Sequence, residues 1–267
     1  MTDAPKQKNP HPFAGRLAAP SCVIPGTVAE NAQFLNGRTD EVALCFFEAQ
    51  SCLAYTEADL PPELAQLPLR FHVHLPVDLP WPTRAYDAVD IHETADLALA
   101  VCNKAAYLRP RLAVLHSPEG DPARKRRLLE QFAARWHGKS AVPLLLENVA
   151  HCDIVELGHG FLHDQNLGLC LDVGHLMGYK QNCLLDSELP ETAVLVHWSA
   201  PGKQDQHLPL TEFSASEYRT AAGIMRRFPG TATHLTEIFH WSGAAASLPV
   251  LAALLTGEPK GISDAQP

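Results

Sequence analysis

Short apolar runs alternate with longer segments of helical periodicity along most of the chain. Apolar residues three or four positions apart predict helices, most clearly over 27–35, 88–108, 122–136, 215–227 and 243–255, and more weakly near 61–66, 152–162 and 183–189. Between them, compact runs rich in Val, Leu and Ala predict eight β-strands. These runs cover residues 16–21, 42–48, 70–75, 111–116, 142–147, 168–172, 193–197 and 234–237.

The regular alternation of strand and helix predicts an α/β fold with a parallel sheet, because each crossover between parallel strands needs a helix. Eight such units in one chain favour a closed (β/α)8 TIM barrel over an open, doubly wound sheet. The open sheet is disfavoured further because no glycine-rich dinucleotide fingerprint or phosphate-binding loop follows any of the strands.

The length of 267 residues suits one such domain. We predict a flexible N-terminal tail over 1–14, a single TIM-barrel domain over 15–256 and a flexible C-terminal tail over 257–267. The two tails are polar and lack the apolar periodicity of the intervening chain.

Charge and histidine content narrow the function. The net charge is −9, and Lys and Arg number only 21 together, so we expect no nucleic-acid partner, since phosphate binding needs clustered basic residues. A basic cluster at 124–127 lies early in a predicted helix, and we expect it to form a solvent-exposed face of that helix. The 14 histidines stand out against this background and require an explanation.

Cysteine pattern and hydropathy bear on the compartment. The seven cysteines form no Cys-x-x-Cys pair, so neither a disulfide framework nor a zinc ribbon is indicated. The N-terminus lacks the apolar run of a signal peptide, and no stretch is long and apolar enough for a membrane span. We therefore expect a cytoplasmic protein with reduced thiols and no membrane partner.

Histidines and carboxylates recur where the predicted strands end. In a TIM barrel these positions share one rim, on which catalytic groups lie. A carboxylate that closes an almost wholly apolar strand, as Glu147 closes VPLLLE, is costly unless it is paired or bound to a metal. The candidate metal ligands selected in this way are His74, His116, Glu147, Asp172, His175, His197, Asp205, His207 and Glu237.

This donor set predicts a centre of two or three divalent metal ions. Imidazole and carboxylate together suit zinc, which we expect first, or manganese or iron. Nine donors exceed the three or four protein ligands of a single ion. Multimetal centres recur in phosphate ester hydrolysis, so the chemistry favours a metal-dependent phosphoric diester hydrolase. We predict Glu147, Asp172 and Glu237 as its catalytic carboxylates.

The same residues resemble those of the xylose-isomerase-like TIM barrels, in the branch that contains endonuclease IV. The resemblance covers roughly residues 16–255. It implies a trinuclear zinc site in three groups, with Glu147 bridging the first two. These groups are His74, His116 and Glu147; Glu147, Asp172, His197 and Glu237; and His175, Asp205 and His207. His72 lies on the same face as His74, so either could be the ligand on the third strand.

The loop sequences FHVHLPVDLPW, LLLENV, CLDVGHLMGY, VHWSAPGKQDQHLPL and EIFHW are similar to those of cobamide-remodelling phosphodiesterases within this superfamily. That resemblance implies a small-molecule corrinoid substrate. It also implies hydrolysis of the nucleotide-loop phosphodiester to cobinamide phosphate and α-ribazole. The alternatives are a sugar isomerase or epimerase with one metal, an abasic-site nuclease like endonuclease IV, and a non-catalytic corrinoid-binding protein.

Further residues near the predicted rim are candidates for substrate binding. Charged or polar contacts are expected from side chains that lie at strand ends or in rim loops. Tryptophans that follow site-bearing strands offer planar surfaces for a large ring system. The candidates are Glu48, His72, Trp81, Trp198, Lys203 and Trp241.

Overall fold

The eight long strands close into a parallel barrel, which confirms the predicted (β/α)8 fold. The structure, a computed structural model, describes residues 13, 15–82, 90–203 and 206–257. Around the barrel the strands follow the order β1-β10-β7-β6-β5-β4-β3-β2, so sequential units are neighbours. Most of the two predicted tails lies outside the described residues.

Each predicted strand is present, with shifts of a few residues at the ends. The barrel strands are β1 (Leu17–Pro20), β2 (Glu41–Cys45), β3 (Arg70–His74), β4 (Ala113–His116), β5 (Leu144–Glu147), β6 (Leu167–Asp172), β7 (Ala193–Trp198) and β10 (Thr233–Thr236). A small antiparallel pair, β8 (Ala200–Pro201) and β9 (His207–Leu208), follows β7 and was not predicted.

Helices surround the barrel, and the five clearest predictions each correspond to one of them. The helices are α1 (Val28–Leu35), α2 (Ala49–Leu53), α3 (Ile91–Lys104), α4 (Pro122–Lys139), α5 (Phe161–Asp164), α6 (Val173–Gly178), α7 (Asn182–Asp186), α8 (Ala215–Met225) and α9 (Trp241–Thr256). Short 3₁₀ turns span Pro62–Gln66, Ala106–Leu108, Ile154–Leu157, Leu189–Thr192 and Leu210–Glu212. The two short helices α2 and α6 were missed, because five and six residues are too few for helical periodicity to show in the sequence.

Alternation along the strands separates two cores. One face of each strand packs with the helices in the larger apolar cluster, and the other fills the barrel interior with small and aliphatic side chains. On β7, Leu195 belongs to the interior cluster, whereas Val196 and Trp198 belong to the outer one. His197 therefore faces the interior, and its neighbour Trp198 does not.

A charged network closes the amino-terminal end of the barrel. Glu41 begins β2, is fully buried, and accepts hydrogen bonds from Arg70 Nε at 3.2 Å and Arg111 Nε at 3.0 Å. Its other oxygen lies 2.7 Å from His72 Nδ1. Arg111 also donates to Thr233 Oγ1 at 2.9 Å and so joins β4 to β10. This network holds the ends of several strands together, opposite the predicted rim.

Two further findings concern the cysteines and the helices. All seven cysteines are free thiols. In the part of the chain that the structure describes, none of the helices combines the length and hydropathy that a bilayer span requires.

Candidate metal centre

Eight of the nine predicted ligands converge at the carboxyl-terminal end of the barrel. Asp205 lies outside the described residues. Contacts of 3.5 Å or less between histidine nitrogens and carboxylate oxygens connect most of the others into one group. The members are His74, His116, Glu147, Asp172, His175, His197, His207 and Glu237.

Glu147 occupies the middle of the group, and each of its oxygens faces two imidazoles. Oε2 lies 3.2 Å from His74 Nε2 and 3.4 Å from His116 Nε2. Oε1 lies 3.5 Å from Nδ1 of both His175 and His197. A carboxylate that presents its two oxygens to separate pairs of histidines has the arrangement of a bridging ligand.

A second cluster of donors surrounds His197. Its Nδ1 lies 2.9 Å from Glu237 Oε2 and 3.9 Å from Asp172 Oδ2. One ligand atom each from Glu147, Asp172, His197 and Glu237 lies within 4.8 Å of the others, which is compact enough for one ion. His207 Nδ1 approaches the same Glu237 oxygen at 3.5 Å and extends the group toward His175.

The tautomer of His74 points to a cation between it and Glu147. His74 Nδ1 donates to the backbone carbonyl of Leu75 at 3.0 Å, so in the neutral ring Nε2 carries a lone pair. That lone pair faces an oxygen of Glu147 across 3.2 Å. Two acceptors at this distance need a proton or a metal ion between them, and fixing one nitrogen through a carbonyl is typical of metal-bound histidine.

Unsatisfied buried atoms support the same conclusion. Buried polar atoms without a hydrogen bond are rare in folded proteins and call for an explanation. In this group His197 Nδ1 and Glu237 Oε2 are only 2.9 Å apart, yet neither makes a hydrogen bond within the part of the chain that the structure describes. The atoms in this state are Glu147 Oε1, Asp172 Oδ2, Glu237 Oε2, His116 Nε2, His207 Nδ1 and both ring nitrogens of His197. Mixed nitrogen and oxygen donors of this kind fit zinc, manganese or iron.

The pKa values of the three carboxylates shift in opposite directions, because the group holds excess negative charge. Burial opposes ionisation of Glu147, but His197 and His116 outweigh it and hold the pKa well below its usual range. Burial is likewise outweighed at Glu237, chiefly by His197, and its pKa is lowered. Burial raises the pKa of Asp172 well above its usual range, and the charges of Glu237 and Glu147 add to the effect. A bound cation would remove this conflict.

A buried amide network positions Asp172 and was not anticipated from the sequence. Asn148 Oδ1 accepts from the Asp172 backbone N–H at 2.7 Å, and its Nδ2 donates to the Asp172 carbonyl at 2.9 Å. Gln181 accepts from the same Nδ2 at 2.8 Å and donates to the Val149 carbonyl. The sequence feature that could have indicated this network is the Asn that directly follows Glu147 in LLLEN.

The sequence DVGH turns the chain from β6 into α6 beside the site. Asp172 caps α6 by accepting from the His175 backbone N–H. A Cβ at Gly174 would lie 2.2 Å from Ser199 Oγ, so only glycine allows this close approach to the segment after β7. The tight turn places both Asp172 and His175 at the rim.

The choice between His72 and His74 follows from depth in the barrel. The two rings face the same interior, but two residues of strand separate them by roughly 7 Å. His74 contacts Glu147, whereas His72 is bound to Glu41 at the opposite end. His74 is therefore the histidine of β3 that belongs to the candidate centre, and His72 lies deeper in the barrel beside Glu41.

Two polar candidates for substrate binding lie in exposed segments of the rim. β2 ends at Cys45 rather than at Glu48. Glu48 is an exposed residue at the N-cap of α2 and accepts from Ser51 Oγ at 2.9 Å. Lys203 is exposed in the segment between β8 and β9. Neither side chain has a described contact with the ligand group.

The three tryptophan candidates pack away from the ligand group. Trp198 is fully buried in the outer core and donates from Nε1 to His234 at 3.1 Å. Trp81 stacks at a tilt on Phe132 of α4, and Trp241 packs edge-to-face on Phe34 of α1. The structure therefore does not bring these indoles together as a planar pocket.

Replacing Asp172 by Asn should stabilise the metal-free protein and reduce its stabilisation by zinc. Asn keeps the helix cap, but it removes a carboxylate that is costly to ionise beside Glu147 and Glu237. We expect a gain of about 1 kcal/mol, or a melting temperature about 2–4 °C higher. Melting curves with a chelator and with zinc measure both effects.

Asp121→Asn is the matched control, because Asp121 also caps a helix but is exposed and lies outside the ligand group. It should leave both melting curves nearly unchanged. A lower melting temperature for metal-free Asp172→Asn, or full stabilisation of that variant by zinc, would contradict the assignment of Asp172 as a ligand.

Comparison with known proteins identifies the fold. No protein-family model and no curated protein matches the sequence. Among solved structures, endonuclease IV from Thermus thermophilus superposes with a TM-score of 0.64 at 21% identity, over 91% of this chain and 99% of that one. A D-tagatose 3-epimerase-like protein gives 0.63 at 14%, over 90% and 97%.

A third structure, a second Thermus thermophilus protein that was soaked with ZnCl2, gives a TM-score of 0.57 at 22% identity. That match covers 92% of this chain and 99% of the other. These similarities agree with the (β/α)8 TIM-barrel fold, as the motifs implied. At such identities they establish the fold alone, so the reaction has to be argued from the site.

Proposed function

We propose that the protein is a metal-dependent phosphodiesterase with two or three divalent ions, of which zinc fits the donors best. The observation that carries the proposal is the position of Glu147 between two pairs of histidines. One ion takes three or four protein ligands. Eight described donors, one of them the carboxylate of Glu147 between the histidine pairs, therefore exceed what a single ion uses.

Three groups of residues would hold the ions. His74, His116 and Glu147 form the first group; Glu147, Asp172, His197 and Glu237 form the second. His175 and His207, with ring centroids 5.5 Å apart, belong to the third, together with Asp205. Bound divalent ions would generate a nucleophile from water near neutral pH and neutralise charge on the phosphate.

The residues of the chain hold the candidate ligands in a fixed orientation and provide an ionised carboxylate. The lowered pKa of Glu147 keeps that carboxylate ionised at neutral pH, so it can accept a hydrogen bond from the attacking water. The carbonyl of Leu75 fixes the ring of His74, and the Asn148 amide fixes the backbone of Asp172. This fixed arrangement reduces the reorganisation needed during the reaction.

The substrate that the loop motifs favour is a cobamide, cleaved at the phosphodiester of its nucleotide loop. The products would be cobinamide phosphate and α-ribazole. The low content of Lys and Arg, 21 of 267 residues, favours such a small molecule over DNA. Similarity to endonuclease IV keeps abasic-site cleavage as a rival substrate.

A one-metal sugar epimerase is the second candidate. It is favoured by the compact group of Glu147, Asp172, His197 and Glu237, which by itself provides the ligands for one ion. Similarity to a D-tagatose 3-epimerase-like protein agrees with it. A one-metal reaction does not require the third group of donors, and for this reason we rank the epimerase second.

Incubation of the zinc-loaded protein with a cobamide tests the proposal directly. We expect chromatography to detect cobinamide phosphate and α-ribazole in equal amounts, and no release after chelation of the metal. Elemental analysis should find two or three ions per chain. Parallel incubations with an abasic oligonucleotide and a ketohexose measure the rival activities.

Each result decides between the candidates. Cleavage of the abasic oligonucleotide with no release of ribazole would overturn the cobamide substrate but keep the phosphodiesterase. One ion per chain, together with epimerisation of the ketohexose and no phosphodiester cleavage, would overturn the proposed reaction.

A further inference from the structure

Exposed apolar side chains cluster at the end of the barrel that holds the candidate metal centre. Six large hydrophobic residues are exposed among those that the structure describes. Four of them follow elements that end at this rim, and the other two, Tyr107 and Val194, lie near the opposite ends of strands. The four at the rim are Phe47, Val77, Tyr179 and Phe239.

Phe47 and Phe239 form a pair that directly borders the ligand group. Their ring centroids are 5.7 Å apart, and the planes meet at 89°. The Phe47 ring lies 6.4 Å from the ring of His74, and the Phe239 ring lies 5.1 Å from that of His207. The pair therefore stands between the first and third groups of candidate ligands.

Packing does not explain why these two positions are aromatic. Phe47 is 37% exposed and Phe239 is 38% exposed, and neither belongs to the hydrophobic core. Val77, itself 52% exposed, donates its backbone N–H to the Phe47 carbonyl and continues the apolar surface. An exposed apolar surface that adjoins a polar site is typical of a ligand-binding surface.

We infer that Phe47 and Phe239 form a subsite for a planar heteroaromatic base carried by one ester arm of the phosphodiester substrate. Aromatic groups favour offset stacking and edge-to-face contacts. In a corner of two rings at 89°, a planar group that stacks on one ring presents its edge to the other, so both contacts are favourable. A flat base fits this corner, whereas a sugar ring lacks the flat π-face.

The subsite rests on the proposed function, because it places the base on an ester of the phosphate at the metal centre. The base could come from the lower-ligand nucleotide of a cobamide or from a nucleic acid, since both carry a planar heterocycle. Both sources share the planar base, and assays with a substrate from each source distinguish the cobamide from the nucleic acid.

Binding of the nucleoside α-ribazole to the zinc-loaded protein, measured by calorimetry, tests the subsite without turnover. We expect Phe47→Leu and Phe239→Leu each to weaken this binding about 10-fold, the size expected for the loss of one stacking contact. Leucine keeps an apolar side chain and removes only the flat surface. Ribose, which lacks the base, should bind much more weakly to the wild-type protein.

Tyr107→Leu is the matched control. Tyr107 is 38% exposed, and its hydroxyl donates to the Leu60 carbonyl at the opposite end of the barrel. This change should leave the binding of α-ribazole unaltered. Undetectable binding of α-ribazole to the wild type, or binding by both phenylalanine variants as tight as that of the wild type, would overturn the subsite.

Kinetics separate the two sources of the base and the two proposals. A roughly 10-fold higher KM of both variants for a cobamide would support the lower ligand as the occupant, and the same effect confined to an abasic oligonucleotide would assign the subsite to nucleic acid. Binding of α-ribazole that depends on both phenylalanines, in a protein that cleaves no phosphodiester, would support the subsite and overturn the proposed reaction.

Discussion

Glu147→Gln should abolish phosphodiester hydrolysis while the barrel remains folded. The variant replaces the charged bridge between two histidine pairs by a neutral group of the same shape. As the proposed bridge, Glu147 would contribute to two bound ions, so its loss would remove several kcal/mol of transition-state stabilisation. We expect kcat to fall at least about 1,000-fold, which corresponds to about 4 kcal/mol. Assays with the substrate identified for the wild type measure the effect.

The control for Glu147→Gln separates folding from chemistry. Circular dichroism should show the same helix and strand content as in the wild type. Glu191→Gln changes an exposed acid that contacts Arg227 in the helical layer and should leave kcat unchanged. Elemental analysis should find fewer ions bound to Glu147→Gln. Near-normal activity of this variant would rule out Glu147 as the bridge.

The barrel was predictable because strand and helix periodicities agree with one another along the whole chain. The strand-end donors were predictable for a related reason: in a parallel barrel all strands end at one rim, so sequence position alone brings distant residues together. Glu147 and Asp172 each end an apolar strand, and this position indicates a buried carboxylate with a functional role.

Side-chain direction and depth in the barrel explain why some candidates lie away from the ligand group. Trp198 follows His197 immediately, and period-two alternation places it on the outer face. His72 has the correct face but lies one layer lower, where Glu41 binds it. Phe47 and Phe239 were overlooked because each lies beyond its strand, and loop geometry decides whether such a residue borders the site.

Glu41→Gln should be the most destabilising single change at the closed end of the barrel. Its carboxylate is fully buried and binds Arg70, Arg111 and His72. Removing its charge leaves the half-exposed guanidinium groups of Arg70 and Arg111 without their partner, at a cost of roughly 3 kcal/mol. Urea unfolding of the metal-free protein at pH 7 measures this loss. The half-exposed acid Asp96, which pairs with Arg135 and Lys139, is the control, and Asp96→Asn should cost far less.

The pH dependence of stability gives an independent test of Glu41. Burial opposes its ionisation, but His72 and Arg111 outweigh it and lower its pKa from the ordinary 4.5 to about 2. A lowered pKa in the folded state means that this stabilisation, about 3 kcal/mol, is fully present above pH 4.5 and is lost as the pH falls toward 2. The difference in stability between wild type and Glu41→Gln should therefore stay constant from pH 7 to about 5 and narrow below 4.5. A difference in stability that does not change with pH down to 3 would show that Glu41 acts through packing alone. A contribution from the ionised carboxylate would be lost when the carboxylate is protonated.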